Sequence, residues 1–405
     1  MCVRLRVVAL GVVLLAAAPA AQGQTPLTLA DVLTRARERA PQIANARFAL
    51  DEAQGRMLGA SLRAQDNPEL DVQVGDRQTP AGRRTDVELG VTQMFEPGSR
   101  RAARLAGANA ALAHGTASVE DTTRTVLRAA ARAFYRALYA GERVRLLTGA
   151  QGVAAEVYAV ADRRFTAGDI PVLDVNLARA SLARVRAERE ATEALREEAL
   201  GDLKSLLGVD TDVSVQGDFA LPPGRSLAVN LEAASARPDV RVLEASVREA
   251  EAEVLFGRSL EKPNYGLGVR VSQESGDHIL LGGLTVTLPV FSKGQDVQAI
   301  GAARAARLRA SLDAAQTQVR IEVRTAFGAY QRRAAAVRIL EADALPGLDE
   351  NDALTTRSFD VGQLGLPGLL LIRGEIVATR FQYLDALLEA ALARVDLDAS
   401  VGILQ

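Results

Sequence analysis

Arg164-Phe165-Thr166-Ala167-Gly168 returns as Ser358-Phe359-Asp360-Val361-Gly362, and Phe95-Glu96-Pro97-Gly98 returns as Phe291-Ser292-Lys293-Gly294. Upstream, Ala40-Pro41-Gln42-Ile43 is matched by Arg237-Pro238-Asp239-Val240, and Asn67-Pro68 by Pro263-Asn264. The offset stays near about 196 residues, far longer than a solenoid unit, so one half has been written twice. A pseudo-symmetric fold is expected.

Each half carries the same order of signals: helix, two strands, very long helix, turn, helix. In the first half, Leu29 to Leu62 has helical spacing, interrupted at Pro41 and stopped by Asp66-Asn67-Pro68. Leu70, Val72 and Val74 then alternate with Asp71 and Gln73, which is strand period. Asp76 to Arg84, with Pro80 and Gly82, reads as a loop, and Val87, Leu89 and Val91 as a second strand. In the second half, Val240 to Leu260 is helical. Tyr265, Leu267, Val269 and Val271 alternate, as do Leu284, Val286, Leu288 and Val290, with a turn at Glu274 to Asp277.

Helices of unusual length follow each hairpin, from Arg101 to about Arg164 and from Gln295 to about Arg357. Each would reach on the order of 90 Å. Val119, Thr123, Val126, Ala130, Ala133, Ala137, Ala140, Val144 and Leu147 step by four and three, a heptad seam. Val319, Val323, Ala326, Tyr330, Val337 and Leu340 mark its counterpart. The returning helices are expected at Leu173 to Leu207 and at Leu369 to Leu404.

Composition narrows the class. Arg4 and Arg6 precede an apolar run, Val7 to Ala18, and the small residues around Ala21 and Gly23, so residues 1–23 read as a secretory signal peptide. The only cysteine, Cys2, lies inside it, which leaves no disulfide, no thiolate metal site and no lipidated N-terminal cysteine in the processed chain. His114 and His278 are too far apart in sequence to suggest a metal centre. Net charge is −2, a balance that does not favour nucleic acid. No catalytic signature is present, and acidic pairs such as Glu197-Glu198 fall in solvated helical patterns. No cofactor is expected.

Strands of this length match the reach of a bilayer-spanning strand. Four are too few for a closed barrel, since the smallest have about eight, and an open sheet edge in lipid costs several kcal/mol per unsatisfied group. If the strands enter a membrane, several chains share one barrel, and three chains supply twelve strands. The rival class is a secreted helical coiled-coil scaffold without a pore, which has no use for two apolar hairpins at equivalent places.

The order of elements resembles the outer-membrane efflux protein (TolC-like) family over nearly the whole processed chain. The most specific residues are at the helical turns. Phe165-Thr166-Ala167-Gly168, with Asp174 six residues on, looks like the family's aromatic-x-x-Gly followed by Asp. Phe359-Asp360-Val361-Gly362 repeats it, and Gln382-Tyr383-Leu384-Asp385-Ala386-Leu387 looks like the family's last helix. Gly368 stands where the second Asp often falls, the segment Leu364 to Gly368 is apolar, and tryptophan is absent.

The resemblance implies a mainly α protein with a small β part, built as a homotrimer with a twelve-stranded β-barrel continued by a twelve-helix α-barrel. It implies an outer-membrane site with a periplasmic extension, in contact with outer-membrane lipid. The implied division is periplasmic helices at 24–66, a first hairpin at 67–97, a helical hairpin at 98–210 and an equatorial linker at 211–237. A helix at 238–262, a second hairpin at 263–291 and a second helical hairpin at 292–405 complete it. The implied partners are a periplasmic adaptor (membrane fusion protein) and an inner-membrane efflux pump, and the implied cargo is metal cations or small toxic compounds. Gly168, Gly362, Phe165 and Phe359 are then docking-tip candidates, with the two aromatics as packing anchors, and Asp174 and Arg357 are aperture candidates.

Overall fold

A computed structural model describes residues 26–80, 82–219, 221–274 and 277–403. The signal peptide expected at 1–23 lies outside them, as does Leu404. The first half runs α1 (Leu29–Arg39), α2 (Pro41–Ser61), β1 (Glu69–Thr79), β2 (Gly82–Phe95), α3 (Gly98–Thr166) and α4 (Val172–Leu207). The second runs α5 (Leu227–Ala234), α6 (Pro238–Ser259), β3 (Asn264–Glu274), β4 (Asp277–Thr287), α7 (Gln295–Ile339), α8 (Leu348–Asp360) and α9 (Leu366–Val401).

Local chemistry sets the ends. Thr28 and Asp31 form a reciprocal capping box at the start of α1. Pro41 and Pro238 open α2 and α6 at the position where a missing N–H costs nothing. Gly208 and Gly402, both left-handed, close α4 and α9.

The four strands form one antiparallel sheet in the order β1-β2-β3-β4. The halves therefore meet through the β2–β3 ladder, where Leu89 pairs with Val271 and Phe95 with Tyr265. The register stacks Leu70, Val72 and Val74 beside Val91, Leu89 and Val87, then Val269 and Val271, then Leu280 and Leu284, on one face. All are exposed, Val72 by 58% and Leu280 by 72%. The opposite face carries Asp71, Gln73, Glu88, Arg270 and Ser272, with Arg270 ion-paired to Glu88 at 2.7 Å.

Three expectations shift. The loop expected from Asp76 to Arg84 is ladder as far as Thr79 paired with Gly82. Cross-strand ion pairs hold it, Arg77 to Asp86 and Arg83 to Asp76, each at 2.6 Å, so polar residues that look like loop extend the hairpin. The alternation of Leu284 to Val290 outruns its ladder, which ends at Thr287, because Pro289 has no N–H to give. The long helix expected from Gln295 to Arg357 is two helices: α7 passes into one π-type turn, Leu340–Ala344, and α8 restarts at Leu348. Pro346-Gly347 explains the break, since proline has no N–H to donate to the preceding turn and glycine weakens the helix.

α3 is unbroken over 69 residues, about 100 Å. Its buried seam is mostly alanine, including Ala130, Ala133, Ala137 and Ala140, as the heptad reading expects. Small side chains bring helix axes close and let long helices slide past one another in register. Bulk is added where Tyr135 stacks on Phe219 and meets Phe134 edge-on, in a core shared by α1, α3, α4 and α9. Among the described residues no helix is long and apolar enough to cross a membrane.

Candidate functional site

Two helical turns lie at the end of the molecule away from the sheet, and they are built alike. At the first, the Gly168 N–H donates to the Phe165 carbonyl (2.9 Å) and the Asp169 N–H to the Arg164 carbonyl (2.8 Å). At the second, the Gly362 N–H donates to Phe359 (3.1 Å) and the Gln363 N–H to Ser358 (2.9 Å). Gly168 has φ +82° and Gly362 φ +75°, values that tax any side chain with a Cβ. A Cβ at either would meet nothing within 4 Å, so both turns face open space.

The two aromatics part company. Phe359 is buried among Val157, Ala161, Val175 and Leu369, joining the second turn to the first hairpin. Phe165 is 43% exposed. Asp174 is half-buried in the first turn of α4, where a carboxylate complements the helix dipole. Arg357 is exposed and has no ion-pair partner among the described residues.

Higher up, a cluster that short motifs could not reveal ties three helices. Arg143 of α3 bonds Glu188 of α4 at 2.8 Å and Asp385 of α9 at 3.3 Å, and lies 4.3 Å from the Phe381 ring centre. The Tyr139 hydroxyl donates to Asp385 at 2.6 Å. Burial, and then this bond to a carboxylate, push the Tyr139 hydroxyl above its ordinary range. Two residues before Asp385 on α9, the Tyr383 hydroxyl donates to Glu341 of the π-type turn at 2.7 Å and is pushed up to about 12, by burial first and by that acceptor second. The only sequence signal was the stretch Gln382 to Leu387, which holds both Tyr383 and Asp385.

Among the described residues no group of three or more His, Cys, Asp and Glu side chains is arranged to hold a metal ion. The arrangement offers a polar sheet face continuing into long helices, and two exposed turns at the far end.

Comparison with known proteins agrees with this geometry. A family profile described as "Outer membrane efflux protein" matches residues 32–209, essentially the first half. The cobalt-zinc-cadmium resistance protein CzcC of Cupriavidus metallidurans is 24% identical over 382 residues, covering 93% of this chain and 90% of its own. The Campylobacter jejuni CmeC outer membrane channel superposes with a TM-score of 0.76 at 16% identity, covering 92% of this chain and 85% of that one. The outer membrane protein VceC of Vibrio cholerae superposes at 0.76 with 17% identity, covering 92% and 96%.

Proposed function

We propose that the chain is a member of the outer membrane efflux protein family, whose profile matches residues 32–209, and that it is the passive outer-membrane duct of a tripartite efflux system. Members of this family are channels, not enzymes, and work with an adaptor and a pump. The place this reading gives it is the outer membrane, the one named for its structural neighbours CmeC and VceC.

The observation that carries the reading is the sheet. Its apolar face is solvent-exposed along every strand, and β1 and β4 are left as edges. Hydrocarbon covers such a face but cannot satisfy such edges. Three copies close twelve strands into one barrel, β4 of each meeting β1 of the next, with the polar face inside. Twelve long helices then line the tunnel that continues it.

The exposed turns at Gly168 and Gly362 are the surface offered to the adaptor and pump, with Phe165 as the apolar contact and Phe359 as the internal anchor. Asp174, repeated three-fold, lines the aperture as a carboxylate ring that favours cations, and Arg357 closes a salt-bridge lock with an acid of the first tip. Metal cations are the favoured cargo, supported by likeness to a relative named for cobalt, zinc and cadmium resistance.

Fractionation with a heat-modifiability gel tests the duct: the protein is expected in the outer membrane as an oligomer that dissociates on boiling. Deletion is expected to sensitise the cell to divalent metals. Recovery solely from the soluble periplasm as a folded monomer supports the scaffold alternative instead.

A further inference from the structure

We propose that the helix-side foot of the second hairpin is a binding site for the phosphate headgroup of an anionic phospholipid. The site rests on the membrane reading above, since the sheet has to stand in a bilayer for a lipid to reach it.

Lysine usage points there first. Only three of the 48 basic residues are lysines. Lys204 pairs with Asp212 at 3.0 Å. The other two, Lys262 and Lys293, flank β3 and β4 at their helix-side ends, and both are exposed. Neither ammonium has a side-chain partner among the described residues. Apart from that one pair, arginine makes the internal ion pairs among the described residues, as its planar fork suits it to do, while a flexible ammonium suits a mobile phosphate.

The local shape agrees. A cavity of about 410 Å³ is lined by Arg100, Lys262 and Asn264 together with Leu288, Val290 and Phe291. Phe291 is 92% exposed, Leu288 67% and Val290 61%, an uncovered apolar ledge beside cations. The Arg100 guanidinium donates only to neutral oxygens, the Asn264 side chain and the carbonyls of Ser259 (3.2 Å) and Lys262 (3.1 Å), so no carboxylate cancels its charge. Two acids are close in sequence. Glu261 accepts from Gln298 at 2.9 Å, and Asp296 sits in the first turn of α7. Neither is paired with a lysine.

Height agrees as well. Phe95 and Tyr265 pair across β2–β3 at this end, exposed on the apolar face. A girdle of aromatics at a sheet end marks the headgroup level, and the Tyr265 hydroxyl gives that ring its polar edge. Lys262 lies just before Tyr265 in the chain and Lys293 just after Phe291. Acyl chains therefore lie against Leu288, Val290 and Phe291, and the phosphate meets the ammonium groups below.

The duplication supplies an internal control. Where the second half has Lys262, the first has Asp66, and where the second has Ser292-Lys293, the first has Glu96-Pro97. Glu96 is held by Arg104. The two lysines thus have no basic counterpart in the first half, which gives one lipid site per protomer, at the second foot alone.

Native mass spectrometry of the detergent-solubilised full-length oligomer tests this, with phosphatidylglycerol and phosphatidylcholine of equal acyl length added in turn. The expected result is one retained phosphatidylglycerol per protomer and little retained phosphatidylcholine. K262Q/K293Q should weaken that retention about tenfold or more, since each lysine near an anionic headgroup contributes on the order of 1 kcal/mol. K262R/K293R should keep it. Equal retention of both lipids, or undiminished binding by K262Q/K293Q, overturns the site. Displacement of the lipid by equimolar inorganic phosphate assigns the cations to a free anion and also overturns it. All variants should still run as heat-modifiable oligomers from the outer membrane. A wild-type protein found only in the soluble fraction would defeat the duct reading itself, which is a separate outcome.

Discussion

The guanidinium of Arg164, in the first helical turn, lies 4.9 Å from the centre of the Phe359 ring, in the second. The two ends of a duplicated chain are thus clasped to each other through one cation–π contact. Phe359→Ala removes both this contact and the plug of the surrounding cluster, at about 3–5 kcal/mol for a large buried aromatic. Arg164→Ala removes only the contact, about 0.5–1 kcal/mol. Hydrogen exchange at the turns is expected to rise steeply in the first variant and slightly in the second, with the sheet unchanged. Equal effects would place the stability of the tip in something other than Phe359 burial.

Gly168 and Gly294 both have positive φ, yet their surroundings differ. A Cβ on Gly168 meets open space, whereas on Gly294 it would strike the Gly257 carbonyl oxygen and come within 2.9 Å of Leu260. Gly168→Ala is expected to cost about 1–2 kcal/mol of local strain and to insert normally. Gly294→Ala adds a backbone clash at the joint between sheet and helices, so the yield of heat-modifiable oligomer is expected to fall. Gly168→Trp should abolish export while membrane insertion persists; normal export would remove the docking role from that turn.

Leu89 stands mid-ladder on the apolar face, paired with Val72 and Val271, and Gln73 stands on the opposite face. Leu89→Arg is expected to cost about 2–4 kcal/mol if it faces hydrocarbon, and to lower the recovered oligomer. Gln73→Arg should be tolerated and should instead shift the ion selectivity of single channels in planar bilayers. The reverse pattern would turn the sheet inside out.

Tyr383 gives a pH signature. Its hydroxyl proton is held by Glu341, and its folded value lies at about 12 against an ordinary 10.0. The protonated form is the one the fold favours, so this stabilisation is complete below about pH 10 and is lost as pH rises toward 12. Tyr383→Phe should lose about 1 kcal/mol at neutral pH, and should flatten the alkaline limb of the stability profile. An alkaline limb identical to wild type would place the loss elsewhere.

Asp385 accepts from both Tyr139 and Arg143, joining α9 to α3. Asp385→Asn leaves Arg143 with Glu188 as its one carboxylate partner in this cluster. Loosening of the α3–α9 contact should appear as faster hydrogen exchange around Phe381, by about tenfold for a loss near 1.4 kcal/mol.

The duplicated segments, the alternation of Leu70, Val72 and Val74, and the alanine seam of α3 are local statements, and they determined the order of elements and the identity of each apolar face. Period two and period 3.6 are properties of a single segment, so no neighbour is needed to read them. Where tertiary partners outvote local preference, the sequence alone runs out. Arg77 and Arg83 look like loop until the facing strand pairs them, and Phe165 and Phe359 look equivalent until only one finds a pocket. The meeting of the halves through β2 and β3, and of Arg143 with Glu188 and Asp385, joins residues far apart in the chain. Such contacts exist only once the long helices have packed, because register between distant segments is set by the fit of their side chains and not by the spacing within either one.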